Sequence, residues 1–180
     1  DVYKRQLPSN VALSVNPDLD YVKVFDKTDN AYYYMAKSLC ESLMTDHEYE
    51  VVETLKGSDM EYMKYEQLLP YVDVNEEKAF IVTLADYVSA EDGTGIVHSA
   101  PAFGEDDYQI GRKYGLDFVQ PVDKEGKFTD TPWKDQFIFD TNEDIWHHLV
   151  NEGKVFKKQT VEHNYPPVSY THLTLPTTPY

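Results

Sequence analysis

The sequence predicts an α+β fold that is mostly β-structure, with a partly closed sheet. Short runs in which apolar and polar residues alternate, the pattern of half-buried strands, recur along the chain. Only a few segments between them carry the apolar spacing of a helix, which favours this fold over a doubly wound parallel sheet. With 180 residues, the chain has the length of one ordinary domain.

The first elements are predicted to be two strands and a helix. Residues 11–15 (VALSV) and 21–25 (YVKVF) alternate, and the turn-forming NPDLD between them suggests a hairpin. From Asn30, which is suited to an N-cap, to Met44 the apolar residues recur at helical spacing. This apolar stripe consists of Tyr33, Ala36, Leu39, Cys40 and Leu43. A cysteine on such a stripe is expected to be packed in the core rather than reactive.

The middle of the chain contains three further predicted strands and an irregular segment. Residues 49–57 (YEVVETLKG) are strand-like, whereas residues 58–78 mix acids and aromatics without a clear period. The strand pattern resumes in residues 79–88 (AFIVTLADYV) and again in residues 96–99 (IVHS).

Two helices are predicted near the end. Residues 105–115 (EDDYQIGRKYG) form a short helix closed by Gly115, and residues 141–154 form a second one. Thr141 and Asp144 have the spacing of a capping box. The apolar face of the second helix consists of Ile145, Trp146, Leu149 and Val150.

The last predicted element is a strand over residues 154–165 (KVFKKQTVEHNY). Residues 168–180 (VSYTHLTLPTTPY) contain no acid and carry neither a helical stripe nor a clean strand pattern. We therefore assign no function to them.

Composition limits the classes of function. The chain has 32 acidic and 16 basic residues, a net charge of -16, which argues against a free-standing nucleic-acid binder. The single cysteine cannot form an intrachain disulfide, no apolar run approaches the length of a membrane span, and the first residues lack the apolar stretch of a secretory signal. These observations predict a soluble protein of a reducing compartment.

Residues 93–108 (GTGIVHSAPAFGEDDY) are the part of the chain least like ordinary scaffold. Glycines lead into the predicted strand 96–99, Pro101 ends it, and His98 therefore lies near a strand end. The three acids after Gly104 fall in the first turn of the next helix, where free amides and the helix dipole favour negative charge. These acids are Glu105, Asp106 and Asp107. An ionised carboxylate at this position is a suitable counter-ion for a ligand ammonium group.

Spacing alone leaves two interpretations of this motif open, a substrate pocket or a tight connection between a strand and a helix. A metal site is disfavoured because no second histidine lies near His98. His147 and His148 are expected to be solvated or half-buried polar positions. The chain has no GxSxG nucleophile elbow, and GTG is too short for a dinucleotide or phosphate loop.

Taken whole, residues 93–130 closely resemble the editing domain of the isoleucyl-tRNA synthetases, an insertion in the connective region of these class I enzymes. The motif that carries the resemblance is GTGIVHSAPAFGEDDYQIGRKYGLDFVQPVDKEGKFTD. Residues 7–24 (LPSNVALSVNPDLDYVKV) and 153–166 (GKVFKKQTVEHNYP) resemble the same domain. The valyl and leucyl relatives share GTG but not HSAPAFGEDD. The resemblance implies the barrel-like editing domain of these synthetases over residues 7–167.

The resemblance implies a hydrolase within a ligase. The parent enzyme, with ATP and Mg²⁺ in a separate synthetic domain, attaches isoleucine to tRNA(Ile), and the editing domain removes wrongly attached valine without a cofactor of its own. The implied partner is tRNA(Ile) charged with valine and held mainly by the rest of the enzyme, in the cytoplasm.

Site residues follow from the resemblance by matching position. Asp107 resembles the carboxylate that grips the α-ammonium group of the mischarged amino acid, and His98 resembles the histidine that excludes the larger isoleucyl group. Asn10 resembles the asparagine that closes the substrate pocket. Gly93, Thr94 and Gly95 are also predicted to bind substrate, and no residue is predicted to bind a metal.

The ends of the chain depart from the family pattern. Residues 1–6 (DVYKRQ) stand where the family has a threonine-rich segment, and after NYP the chain does not continue toward the family's cysteine-containing segment. Residues 1–6 and 168–180 are therefore expected to be a non-native leader and tail. Without the pocket threonines, the alternative is a folded but inactive remnant or an interaction module. A free-standing editing hydrolase is disfavoured because the charge balance offers no obvious surface for tRNA.

Overall fold

The computed structural model describes residues 4–91 and 93–157, with only the backbone described for Lys4 and Arg5. The strands of these residues form two sheets of three strands each. The strands are β1 (Ala12–Val15), β2 (Asp20–Asp26), β3 (Ala31–Ala36), β4 (Tyr49–Lys56), β5 (Ile81–Leu84) and β6 (Ile96–Ser99). The α-helices are α1 (Cys40–Leu43), α2 (Glu105–Tyr114) and α3 (Asn142–Asn151), and short 3-10 turns occur between elements.

The first sheet has the order β5-β1-β6. Strand β1 runs parallel to β5, with Ala12 opposite Ile81, and antiparallel to β6, with Ala12 opposite Ser99. Strand β6 lies within the motif of residues 93–108, and the chain continues from β6 into α2. This sheet therefore carries the motif. The second sheet is antiparallel, with β2 between β3 and β4, and its register shifts between Lys23 and Val24.

The two sheets share one hydrophobic cluster. Val15 and Val82 of the first sheet pack in the same buried group as Tyr21 and Ala36 of the second. Tyr21 is fully buried, and its hydroxyl donates to the Gly95 carbonyl over 2.6 Å. The sheets are therefore joined by both apolar packing and a buried hydrogen bond.

Helices α2 and α3 pack in separate clusters. Ile110 of α2 lies with Ala85 and Val88, which follow β5. Ile145 and Leu149 of α3 lie in a cluster with Leu69, Phe128 and Trp133. Gly115, in the left-handed conformation at φ 63°, ends α2 as predicted.

The α+β class and five predicted strands, β1, β2, β4, β5 and β6, are confirmed. The described strands form two separate sheets and do not close into a barrel, so the barrel-like detail is not confirmed. The predicted hairpin is wrong, because β1 and β2 lie in different sheets. Each pairs with strands that come later in the chain, and the turn NPDLD connects two sheets.

The predicted helix over residues 30–44 is wrong for its first half. Residues 31–36 form β3, Asn30 lies in the preceding turn at φ 52°, and the α-helix is limited to Cys40–Leu43. Tyr33 and Ala36, three residues apart on β3, lie on opposite faces of the strand and pack in different clusters. Consecutive aromatic residues favour a strand, and pairing with β2 satisfies their backbone groups. Cys40 is 5% exposed, so its predicted burial is confirmed.

Two predictions at the end of the chain also need correction. Thr141 does not cap α3 with its side chain, because its hydroxyl donates to the Ile138 carbonyl over 2.8 Å and the predicted capping box is absent. Val150 of the predicted apolar face is 45% exposed. Residues 154–157 are not a strand, and the rest of the strand predicted over 154–165 lies outside the described residues, as do residues 168–180.

Candidate functional site

The candidate site is built where β6 ends and α2 begins. Pro101 is buried directly after β6, and Gly104 precedes the first turn of α2 in an extended conformation. Gly111, one turn further along α2, lies against Pro101 so closely that an added Cβ would be 2.8 Å from the proline Cγ. This contact fixes the start of α2 against the end of the first sheet.

Asp107 holds the connection together through both oxygens of its carboxylate. The Ala100 backbone amide donates to Oδ2 over 3.1 Å, and the Tyr87 hydroxyl donates to Oδ1 over 3.4 Å. Asp107 is half-buried, whereas Glu105 and Asp106 are exposed in the same turn. The three acids of the motif therefore differ in environment, and of the three only Asp107 accepts hydrogen bonds from the segments that directly follow β5 and β6.

Tyr87 lies between Asp107 and the interior of the first sheet. Its side chain lies beside Ser14, and the Ser14 Oγ is 3.0 Å from the Thr83 Oγ1. Ser14 and Thr83 are fully buried on the paired strands β1 and β5. Burial raises the pKa of Tyr87 to about 12, and the negative charge of Asp107 contributes to the rise. The phenol is thus a hydrogen-bond donor at neutral pH.

His98 lies on β6 opposite Leu13 of β1. Burial lowers the pKa of His98 to about 4, and the nearby charge of Asp107 opposes this change only in part. The imidazole is therefore neutral at pH 7. Successive strand residues point to opposite faces, so His98 shares a face with Leu13 while Ser14 and Thr83 lie on the other.

Asn10 lies just before β1 and is 7% exposed. Its Nδ2 donates to the Ala12 carbonyl over 2.9 Å, and its Oδ1 accepts from the Tyr65 hydroxyl at 2.5 Å. Burial raises the pKa of Tyr65, so this hydroxyl also keeps its proton. Both ends of the Asn10 amide are thus engaged within the protein.

Gly93, Thr94 and Gly95 lie at the opposite end of β6 from Asp107. Gly93 and Gly95 have φ values of 68° and 75°, which fits the predicted need for positive φ. The Thr94 carbonyl accepts from the Ala36 amide over 2.8 Å, and a Cβ at Gly95 would be 2.5 Å from the Ala36 Cβ. The structure therefore brings His98 and Asp107 into one neighbourhood and places GTG at the junction of the two sheets.

Sequence reasoning missed Tyr87, Ser14, Thr83 and Tyr65. Tyr87 is 20 residues from Asp107 and Ser14 is 69 from Thr83, so no local spacing points to either contact. The only signal is the polar character of Ser14 and Thr83 within strands that are otherwise apolar. The histidines of α3 are placed as predicted, with His147 exposed and His148 half-buried against the Tyr71 hydroxyl at 2.6 Å.

One group of described residues has the composition of a metal site, and it lies away from this motif. Asp26, Asp29 and His47 offer ligand atoms within 4.8 Å of one another. The His47 Nδ1 is 2.6 Å from the Asp26 Oδ2, and Asp26 also accepts from the Thr28 and Asp29 amides. These hydrogen bonds compensate for the burial of the Asp26 carboxylate. Separately, none of the described helices has the length and apolar character needed to cross a membrane.

Proteins similar in sequence to this chain include isoleucine–tRNA ligases from different organisms. The isoleucine–tRNA ligase of Picrophilus torridus is 45% identical over 161 residues, which cover 89% of this chain and 15% of that protein. The isoleucine–tRNA ligase of Clostridium novyi is 44% identical over 162 residues, with the same coverage. The chain thus spans 15% of the length of these relatives. No protein-family model matches the sequence.

Solved structures show the same fold at low identity. The crystal structure of GlLeuRS-CP1 superposes with a TM-score of 0.68 and 16% identity, covering 89% of this chain and 83% of that one. The editing domain of the cytosolic leucyl-tRNA synthetase of P. knowlesi gives a TM-score of 0.67 and 10% identity, covering 86% and 80%.

Proposed function

Because this chain belongs to the isoleucyl-tRNA synthetase family, whose members it matches over 15% of their length, we propose that it is the editing domain of an isoleucine–tRNA ligase. In this role it hydrolyses the ester of valine wrongly joined to tRNA(Ile). The parent enzyme charges tRNA(Ile) with isoleucine, using ATP and Mg²⁺ in its synthetic domain. Editing itself requires no cofactor, and both activities take place in the cytoplasm. Barrel-like closure of the sheets in the parent enzyme is part of the same proposal.

The observation that carries the proposal is the environment of Asp107. Its carboxylate is held by the Ala100 amide and the Tyr87 hydroxyl at the first turn of α2, next to the end of β6. Each carboxylate oxygen has further acceptor capacity. The α-ammonium group of the mischarged amino acid binds there, which positions its ester carbonyl for attack by water. The bond to the terminal ribose oxygen then breaks, and free valine and tRNA(Ile) are released.

His98 acts as a wall of the pocket. Its pKa of about 4 leaves the ring neutral, so it does not repel the ammonium group that Asp107 binds. The hydrolytic site has to reject isoleucine and accept valine. One methylene gives only about 1 to 3 kcal/mol of discrimination, a value for which this family is itself the reference case, so a second and smaller site is needed.

Asn10 supports the pocket from the beginning of β1, where Tyr65 and Ala12 fix its amide. Contact of Gly93, Thr94 and Gly95 with substrate stays a prediction, and their position supports a role in holding β6 against the second sheet. The partner is valyl-tRNA(Ile), held mainly by the rest of the parent enzyme, which is consistent with the net charge of -16.

The test is deacylation of valyl-tRNA(Ile) by the wild type, Asp107→Asn and Asp106→Asn. A charge-assisted hydrogen bond contributes about 1.5 to 3 kcal/mol, so Asp107→Asn should lower kcat/KM about 10- to 100-fold. Asp106→Asn removes the same charge from an exposed neighbour in the same turn and should change kcat/KM less than twofold. Equal losses in the two variants would reject the assigned role of Asp107.

An inactive wild type is the outcome expected of the alternative, a folded remnant without the pocket threonines. Replacing residues 1–6 with a threonine-rich segment of the family type then separates the two explanations. Restored hydrolysis that again depends on Asp107 supports the proposed editing pocket. Continued inactivity of this folded chimera rejects the proposed function for this chain.

A further inference from the structure

We propose that Tyr87 is a positioning residue of the editing site, whose hydroxyl fixes the direction in which Asp107 presents its carboxylate to the substrate. The inference rests on the proposed function, since it concerns the same site. It is carried by the two hydrogen bonds that the Asp107 carboxylate accepts, one from the Ala100 amide and one from the Tyr87 hydroxyl.

The first step is the geometry at Asp107. The Ala100 amide binds Oδ2 over 3.1 Å and the Tyr87 hydroxyl binds Oδ1 over 3.4 Å, so one donor holds each oxygen. The Ala100 contact alone leaves the carboxylate free to rotate about the bond to its own Cγ. The second contact removes that freedom. This matters because a rotated carboxylate would misplace the bound substrate, and an error of about 1 Å in placing a substrate costs a large part of the rate.

The second step is the support of the Tyr87 hydroxyl. The Tyr87 side chain lies beside Ser14, whose Oγ is 3.0 Å from the Thr83 Oγ1. The Thr83 hydroxyl also donates to the Leu13 carbonyl over 3.4 Å, which ties this pair to the backbone of β1. Ser14 and Thr83 are fully buried on paired strands, so Tyr87 lies against the interior of the first sheet.

The third step is access. Tyr87 is 45% exposed, and Asp107 is half-buried, so the pair lies where a substrate can reach it. Because the pKa of Tyr87 is raised to about 12, its hydroxyl donates throughout the range in which aminoacyl esters are studied. A neutral donor orients the carboxylate and leaves its charge available for the ammonium group.

The experiment is a double-mutant cycle with Tyr87→Phe and Asp107→Asn on valyl-tRNA(Ile) deacylation. Tyr87→Phe keeps the ring and removes only the hydroxyl. We expect a fall in kcat/KM of about 10-fold in the wild-type background and less than twofold in the Asp107→Asn background. The matched control, Tyr108→Phe, removes a hydroxyl next to Asp107 on α2 and should leave kcat/KM unchanged. Additive losses in the cycle would overturn the positioning role.

A second readout does not need activity. In protein labelled with ¹³C at tyrosine Cζ, the Tyr87 signal, assigned through Tyr87→Phe, should titrate at a lower pH in Asp107→Asn because the neighbouring negative charge is gone. An unchanged titration in a folded variant overturns the contact itself. A shifted titration together with inactivity of both the wild type and the chimera that carries the threonine-rich segment rejects the deacylase function and preserves the contact. Active wild type with an additive cycle rejects the positioning role alone.

Discussion

Gly95→Ala is expected to destabilise the protein far more than Gly93→Ala, although the two glycines lie in one turn. Both have positive φ, 75° and 68°, where a Cβ costs about 1 to 2 kcal/mol. Alanine also lowers the conformational entropy of the unfolded chain, which offsets about 0.4 to 1 kcal/mol of this cost. At Gly93 nothing lies within 4 Å of the added Cβ, so the net loss of unfolding free energy should be about 1 kcal/mol.

At Gly95 the added Cβ would be 2.5 Å from the Ala36 Cβ. The neighbour cannot swing aside, because its Cβ is fixed to β3, so the two sheets must move apart. Overpacking of this kind costs about 1 to 3 kcal/mol, which brings the expected loss to about 2 to 4 kcal/mol. Separation of the sheets would also stretch the 2.6 Å bond from Tyr21 to the Gly95 carbonyl.

Urea unfolding of the two variants and the wild type measures the difference. With an m-value of about 2 kcal/mol/M, the midpoint should fall by about 0.5 M for Gly93→Ala and by about 1 to 2 M for Gly95→Ala. The m-value should stay constant. Equal midpoint shifts would refute the close approach of the two sheets at this turn.

Two other positions give further tests. His98→Ala should increase hydrolysis of isoleucyl-tRNA(Ile) more than it slows hydrolysis of valyl-tRNA(Ile), and equal losses on both substrates would make His98 catalytic instead. The folded-state pKa of His98 is about 4, below the ordinary 6.5, so protonation favours the unfolded chain. Stability should therefore fall as pH drops from about 6.5 to 4, and urea midpoints should fall less over that window in His98→Gln. Tyr21→Phe leaves the Gly95 carbonyl without its donor and the Asn16 amide without its acceptor, which should lower the unfolding free energy by about 1 to 3 kcal/mol in the same assay.

The motif of residues 93–108 was predictable because its signals are local. Glycines with positive φ, a proline after the strand and acids after Gly104 each act within a few residues, and β6 and α2 occur at the predicted positions. The segment 31–36 was not predictable in this way. The spacing of its apolar residues matches a helical stripe, although consecutive aromatic residues favour a strand. Pairing with β2, which residue spacing does not reveal, makes the segment a strand.

The candidate site likewise combines features that local sequence predicts with contacts that it does not reveal. The position of Asp107 in the first turn of α2 follows from sequence, but the hydroxyl that holds it comes from Tyr87, after β5. Asn10 was identified by resemblance, and its partner Tyr65 lies 55 residues away in the segment that has no clear period. Residue types of the site can thus be predicted from the chain, whereas the partners that orient them depend on the topology of the sheets.

The contact between Gly111 and Pro101 has a consequence for engineering this domain. A glycine in a helix interior is the usual first choice for replacement by alanine, because the exchange gains about 1 kcal/mol of helix propensity. Here the new methyl group would lie 2.8 Å from the proline ring and lift α2 away from the turn that Asp107 closes. A thermostabilised variant carrying this exchange would have a more stable helix but a displaced Asp107, so stabilising libraries for this domain should keep position 111 fixed.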